Sequence, residues 1–365
     1  MGIRLICPDA GLKKEERVQQ LFLNIDQWIR SDALKELTAI YGGTEIVELS
    51  LPDQIDAIHN FAQIHWDYRK KQQELKKKSG GIFERQRLQE DSFIMKYEDD
   101  VLNIARELGL VDIVAPVRKP NYILPLGGAR MTNYYRPCMA RKVIDENRWD
   151  KDEIKVVALS GTRSLTELDY PCLEKYEKKP SRYKALDEKL CIEDKAVQYV
   201  YRIQTGRNVY KAAIMTEFDA MNMGIEKAFS ISENCSGSYY KNENEYLNSE
   251  LREYEEGYGN CRIYSMVVAS SDPEKRRANS MDTFLGFADK FHVTTGDRLL
   301  LVTSTIYVPF QSLKFYKLAI EGGFDVDCIG VDNSIETSKY SKATHYIQEI
   351  KATIDAMYDL KNTYL

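Results

Sequence analysis

The chain has 365 residues, 43 % of them hydrophobic and 29 % charged, with a formal net charge of -5. That length predicts two or three units with enough apolar material for a sizeable core, and the acidic balance disfavours a constitutive nucleic-acid binder, which carries a basic surplus. No run approaches the ~18 apolar residues of a membrane span, so a membrane partner is not expected either.

The N-terminus, "MGIRLICPDAGLKKEE", has too short an apolar run for a signal peptide. The seven cysteines are scattered singly with no CxxC pair, which suits reduced thiols in a cytoplasmic protein. Four histidines (His59, His65, His292 and His345) belong to no HExxH or Cys/His cluster, so no metal site is expected.

Residues 1 to about 115 read as mostly helical. "KKEERVQQLFLNIDQWIRSDALKELTAIYG" carries apolar residues at helical spacing (Val18, Leu21, Phe22, Ile25, Trp28, Ile29) and stops at Gly42-Gly43. "SLPDQIDAIHNFAQIHWDYRKKQQELKKK" opens with Ser50 in cap position and Pro52 in the first turn. "YEDDVLNIARELGLVD" predicts a third amphipathic helix. The basic stretch "RKKQQELKKKSGG" reads as a solvated helix end running into a turn.

From residue 120 short apolar runs alternate with helical stretches. "NYILPL", "IKVVALS", "IYSMVVASS", "RLLLVTST" and "FDVDCIGVD" are continuous runs of the kind that suits strands covered on both faces. Between them lie "RPCMARKVIDEN", "TEFDAMNMGIEKAFS", "RANSMDTFLGFADKF" and "YVPFQSLKFYKLAIEGG", and "KATHYIQEIKATIDAMYDLKN" closes the chain as a long helix. This βαβ rhythm predicts a doubly wound, mostly parallel sheet of about five strands. Insertions interrupt it near 165–212 and 231–260; the second, acidic and tyrosine-rich, reads either as a solvated insertion or as a lid.

In an open α/β sheet, ligands bind beyond the carboxyl ends of the strands, and four such ends here are small and polar. They are Gly127-Gly128-Ala129-Arg130, Ser160-Gly161-Thr162-Arg163-Ser164, Ser270-Ser271-Asp272 and Thr303-Ser304-Thr305. Glycines allow close backbone approach, and a loop opening a helix points N–H groups at an anion. Hydroxyls add donors, while Arg130 and Arg163 can grip phosphate or carboxylate bidentately. The dinucleotide GxGxxG, the Walker A loop and the GxSxG elbow are all missing. In "TEFD", Thr216 reads as a helix cap with acids in the first turn.

The order "ILPLGGAR", "VVALSGTRS", "TEFDAM", "VVASSDPEKRRANSMDTF", "LLLVTSTIYVPFQSLKFY" resembles the family containing SanA, ElyC and YdcF, whose shared domain is of unknown function, over residues 120 to about 332. The resemblance implies a Rossmann-like α/β domain, which sets the α/β domain at 116–365; the helical N-terminal domain at 1–115 has no counterpart in that family. The resemblance points to Gly127, Gly128, Ser160, Gly161, Glu217, Asn279, Thr303 and Ser304. It also admits S-adenosylmethionine as a ligand. The chain departs from the family at Thr162, where another glycine is usual, at Ala278 for a glutamate, at Tyr307 for a histidine and at Gln311 for an arginine.

Two functions follow. In the first, an enzyme or sensor holds a nucleotide-like or other anionic small molecule at Gly127, Gly128, Arg130, Ser160, Gly161, Thr162, Arg163, Asn279, Thr303 and Ser304, with Glu217 taking a hydroxyl, an amine or a proton. In the second, a catalytically silent scaffold uses the helical domain and the tyrosine-rich insertion as a partner surface. Homo-oligomerisation is left open by either.

Overall fold

The computed structural model describes residues 2–43, 49–75, 88, 91–128, 132–147, 149, 154–163, 216–232, 234–240, 247–331 and 342–365. The insertion near 165–212, the lysines at 76–78, and Ala129 with Arg130 lie outside them.

The N-terminal region is helical, but its first stretch is two helices, α1 (Lys14–Ile29) and α2 (Asp32–Ile40). Ser31 makes the break. Its backbone is extended and its hydroxyl accepts the Leu34 N–H, which satisfies one of the donors a new helix leaves open. Ser50 caps α3 (Leu51–His65) in the same way, with Pro52 in the first turn. After Trp66, α4 (Tyr68–Leu75) follows, and later α5 (Glu98–Glu107).

A seven-stranded, mostly parallel sheet is built from β1 (Tyr122–Pro125), β2 (Lys155–Leu159), β3 (Cys235–Tyr240), β4 (Ser249–Tyr254), β5 (Arg262–Val267), β6 (Arg298–Ser304) and β7 (Asp325–Val331). Their order is β3-β4-β5-β2-β1-β6-β7. β1 runs parallel to β2 and β6, and β2 parallel to β5, while β3 and β4 form an antiparallel pair joined to β5. The tyrosine-rich stretch at 231–260, read as a solvated insertion or lid, thus supplies two strands of the sheet. The four central strands bury nearly every residue, which accounts for their continuous apolar runs.

By internal contacts the chain forms two compact units. One comprises residues 1–117, 294–298 and 303–365, the other 118–293 and 299–302. In the first, α9 (Val308–Gly322) and α10 (Ala343–Tyr364) pack together, and α10 also lies on α3 and α5, burying Ile347, Ile350, Ile354 and Met357. Arg17 of α1 is buried there, and its terminal nitrogens Nη1 and Nη2 donate to the carbonyls of Ala319, Pro8 and Phe324.

In the second unit, α6 (Thr132–Asn147) and α7 (Glu217–Phe229) lie in close contact, with α8 (Ser280–Lys290) after β5. Pro137 sits inside α6 and has no N–H to give the Asn133 carbonyl four residues earlier. Gly224 of α7 is seated on that same peptide. A Cβ there would stand 2.9 Å from the Asn133 carbonyl carbon, 3.1 Å from Tyr134 Cα, and nearer still to the Asn133 oxygen. Only glycine permits this approach, and it fixes the helix carrying Glu217 against the helix that follows β1.

Candidate active site

Within the second unit the ends of β1 and β2 and the start of α7 come together. Leu126 bridges to Leu159, and the Gly127 N–H donates to the Leu159 carbonyl at 2.5 Å. A Cβ on Gly127 would lie 2.8 Å from Ser160 Cα and 2.9 Å from Ser160 Cβ, so this glycine lets two strand ends touch. The Gly128 N–H donates to Asn133 Oδ1 at 3.0 Å, and Asn133 Nδ2 returns a bond to the Gly128 carbonyl at 3.1 Å. A Cβ on Gly128 would meet Thr132 Oγ1 at 2.6 Å and Arg136 Nη1 at 3.2 Å. Neither glycine is among the residues with positive φ. Both amides are thus engaged within the protein, and close packing of the chain on itself explains the pair.

Three residues not singled out in the sequence organise this corner. Asn133 is fully buried and also donates to the Glu217 carbonyl at 3.3 Å, joining the β1 loop to the start of α7. Arg136, 3 % exposed, donates from Nη1 to the carbonyls of Leu126 and Gly127, at 2.6 Å each. Asn222, one and a half turns into α7, accepts from the Tyr254 and Ser265 hydroxyls. Burial pushes the Tyr254 hydroxyl pKa above its ordinary value. The first two lie inside "TNYYRP", where helix polarity conceals which side chains turn back to the loop.

The end of β2 carries the polar groups. The Ser160 N–H continues the ladder to Met266, but its hydroxyl is buried and has no hydrogen-bond partner among the described residues. Arg163 Nε donates to Glu217 Oε1 at 2.6 Å in a largely buried ion pair, and the Arg163 carbonyl accepts the Glu217 N–H at 2.8 Å. Gly161 leaves room for the other carboxylate oxygen, since a Cβ there would lie 3.0 Å from Glu217 Oε2. Thr162 is half-buried. Thr216 caps α7 with Asp219 in a reciprocal box, as "TEFD" predicts.

The remaining candidates sit at the ends of other elements. Asn279 is the cap of α8, accepting the N–H groups of Met281 and Asp282, while Asp282 returns a bond to its backbone. Asp282 is buried, which raises a carboxyl pKa, but Arg276, Ser271 and the Asn279 N–H outweigh this and hold it well below the usual range. Thr303 and Ser304 are buried at the end of β6 and are counted with the first unit. Arg130 is outside the described residues. Among the described residues, no three His, Cys, Asp or Glu side chains are grouped to hold a metal ion, and no helix is long and apolar enough to cross a membrane.

Fold and site together define a mixed α/β protein with polar groups gathered beyond its central parallel strands. Residues 12–109 match the family described as the Rv3785 N-terminal domain. The chain is 22 % identical to the uncharacterized protein Rv3785 of Mycobacterium tuberculosis, over 97 % of this chain and 93 % of that protein. The uncharacterized protein Mb3814 of Mycobacterium bovis is similar to the same extent. No solved structure matches. These relatives overturn the resemblance to the SanA, ElyC and YdcF family: the similarity runs through the N-terminal helices as well as the α/β region, and it leads to Rv3785 instead. The S-adenosylmethionine expectation rested on that resemblance and goes with it.

Proposed function

We propose that the protein binds an anionic, nucleotide-like small molecule at the carboxyl ends of β1 and β2, with Arg163 taking the anion and Ser160 and Gly161 lining its approach. The observation that carries this is the Ser160 hydroxyl, buried without a partner among the described residues, three residues before Arg163, which pairs with Glu217. A buried hydroxyl left unmatched costs about 1–3 kcal/mol, an expense that a ligand partner would remove. The strand order supports the reading. With the antiparallel pair set aside, β5-β2-β1-β6-β7 is third-second-first-fourth-fifth in chain order, that of a Rossmann-like, doubly wound sheet. In such sheets ligands settle where the order reverses, beside the first strand, and β1 ends in Gly127-Gly128.

In this reading Glu217 orients Arg163 in the unliganded chain. It takes a ligand hydroxyl, amine or proton once an anion draws the guanidinium away, so an enzymatic role would fall to it. The test is native mass spectrometry of freshly purified protein for a retained small molecule, followed by titration of wild type and Arg163→Ala with inorganic phosphate. Loss of the charge-assisted bond should weaken phosphate binding by about 1.5–3 kcal/mol. Equal affinities in the two proteins would remove Arg163 from any anion site.

A further inference from the structure

A second buried polar atom shares the Ser160 face of the sheet and is as unmatched as its hydroxyl among the described residues. Asn222 is 3 % exposed; its Oδ1 accepts from the Tyr254 and Ser265 hydroxyls, but its Nδ2 has no partner among the described residues. The register shows where the two atoms stand. Ala158 of β2 pairs with Ser265 of β5, and paired residues in a parallel ladder share a face. Ser160 is two residues beyond Ala158, and its N–H still bonds to Met266, so it continues that face about 6.6 Å further along. Asn222 of α7 bonds Ser265, so Ser160 continues the sheet face on which α7 meets β5.

We propose that Ser160 and Asn222 form a subsite beneath α7 that recognises an uncharged hydrogen-bonding group of the ligand, chiefly a hydroxyl. This inference rests on the anion site at Arg163. A hydroxyl accepts from Asn222 Nδ2 and exchanges a bond with Ser160 Oγ, satisfying both atoms. The ligand class is therefore a hydroxylated anion. A sugar phosphate, a sugar acid and a nucleotide share that chemistry. Selectivity comes from the unmatched atoms themselves: a site built to hydrogen-bond a hydroxyl rejects the analogue without one, because its buried groups are then left unpaired. Asn222 is the specificity-determining residue, and Tyr254 and Ser265 are positioning residues that fix its amide.

The experiment titrates the full chain with inorganic phosphate, ribose 5-phosphate, gluconate and adenosine 5′-monophosphate, following thermal shift and calorimetry. At least one of the three hydroxylated probes should bind tenfold or more tightly than phosphate, and which one does identifies the source. Asn222→Leu should abolish that advantage while leaving phosphate affinity unchanged, and Ser160→Ala should abolish it as well, read as the ratio of probe affinity to phosphate affinity. Ser160→Ala keeps the test valid if Asn222→Leu fails to fold, because it removes no hydrogen bond made among the described residues. Phosphate binding that depends on Arg163, with no gain for any hydroxylated probe, overturns the subsite and spares the anion site. Hydroxylated probes that bind the two variants as well as wild type overturn it too, as does a crystal structure with a single water bridging Ser160 and Asn222 while the probe lies elsewhere. Failure of every probe, phosphate included, removes the anion site and the subsite with it.

Discussion

Replacing Gly224 by alanine is the sharpest test of how this corner is built. In an ordinary helix the change should stabilise by about 1 kcal/mol, because alanine loses less backbone entropy. Here the new methyl group would stand 2.9 Å from the Asn133 carbonyl carbon and 3.1 Å from Tyr134 Cα, and closer still to the Asn133 oxygen. Carbon atoms pack at about 3.5–4.0 Å, so α6 and α7 must part by on the order of 1 Å. The obstacle is helix backbone, which cannot rotate aside as a flexible side chain would. Overpacking costs about 1–3 kcal/mol, and rigid surroundings place this case at the upper end. Net destabilisation of about 2 kcal/mol is expected after the propensity gain. Urea unfolding checks it: the midpoint should fall with the slope unchanged. A Gly224→Ala protein as stable as wild type, or more so, would refute the account of the α6–α7 contact. It would also undermine the role of Asn133 as the link between the β1 loop and Glu217.

Two further outcomes follow from the same reasoning. Gly127→Ala should destabilise by about 1–3 kcal/mol whether or not ligand is present, because its Cβ would press on Ser160 backbone at 2.8 Å; equilibrium denaturation decides, and a neutral result would return the glycine to an ordinary turn. Asp282, held below its ordinary pKa of 3.8, contributes stability that is complete above that value and is lost as pH falls through the lower folded value, so Asp282→Asn should lower stability at neutral pH and flatten the acid limb of a stability–pH curve, and an unaltered limb would contradict the Arg276 contact.

The strands of the central sheet were legible because burial on both faces leaves continuous apolar runs, and Thr216 and Ser50 were legible as caps from local chemistry alone. What escaped depends on contacts between distant parts of the chain. The helix break at Ser31 is hidden in an unbroken apolar rhythm and is signalled only by a Ser-Asp pair. β3 and β4 carry mostly polar side chains, so no buried-strand signal marks them. Gly127 and Gly128 read from sequence as places where backbone approaches a ligand, and their packing on Ser160 and Thr132 is not readable from spacing. Asn279 stands three residues before Asp282, the spacing of a capping box, and that local signal accounts for its position in the fold.

The antiparallel pair at the sheet's edge also bears on the order in which the chain can assemble. β2 leaves the ribosome first, then β3 and β4, and β5 only afterwards, yet β5 takes its place between β2 and β4. A hairpin forms from local contacts within about 1–10 μs, whereas a parallel strand must wait for a distant partner. When β5 emerges, a template for its outer side already exists, so this half of the sheet closes by filling a gap, not by growing outward. The growing edge during synthesis is then β3, whose sequence holds no Val, Ile or Leu for other nascent chains to join.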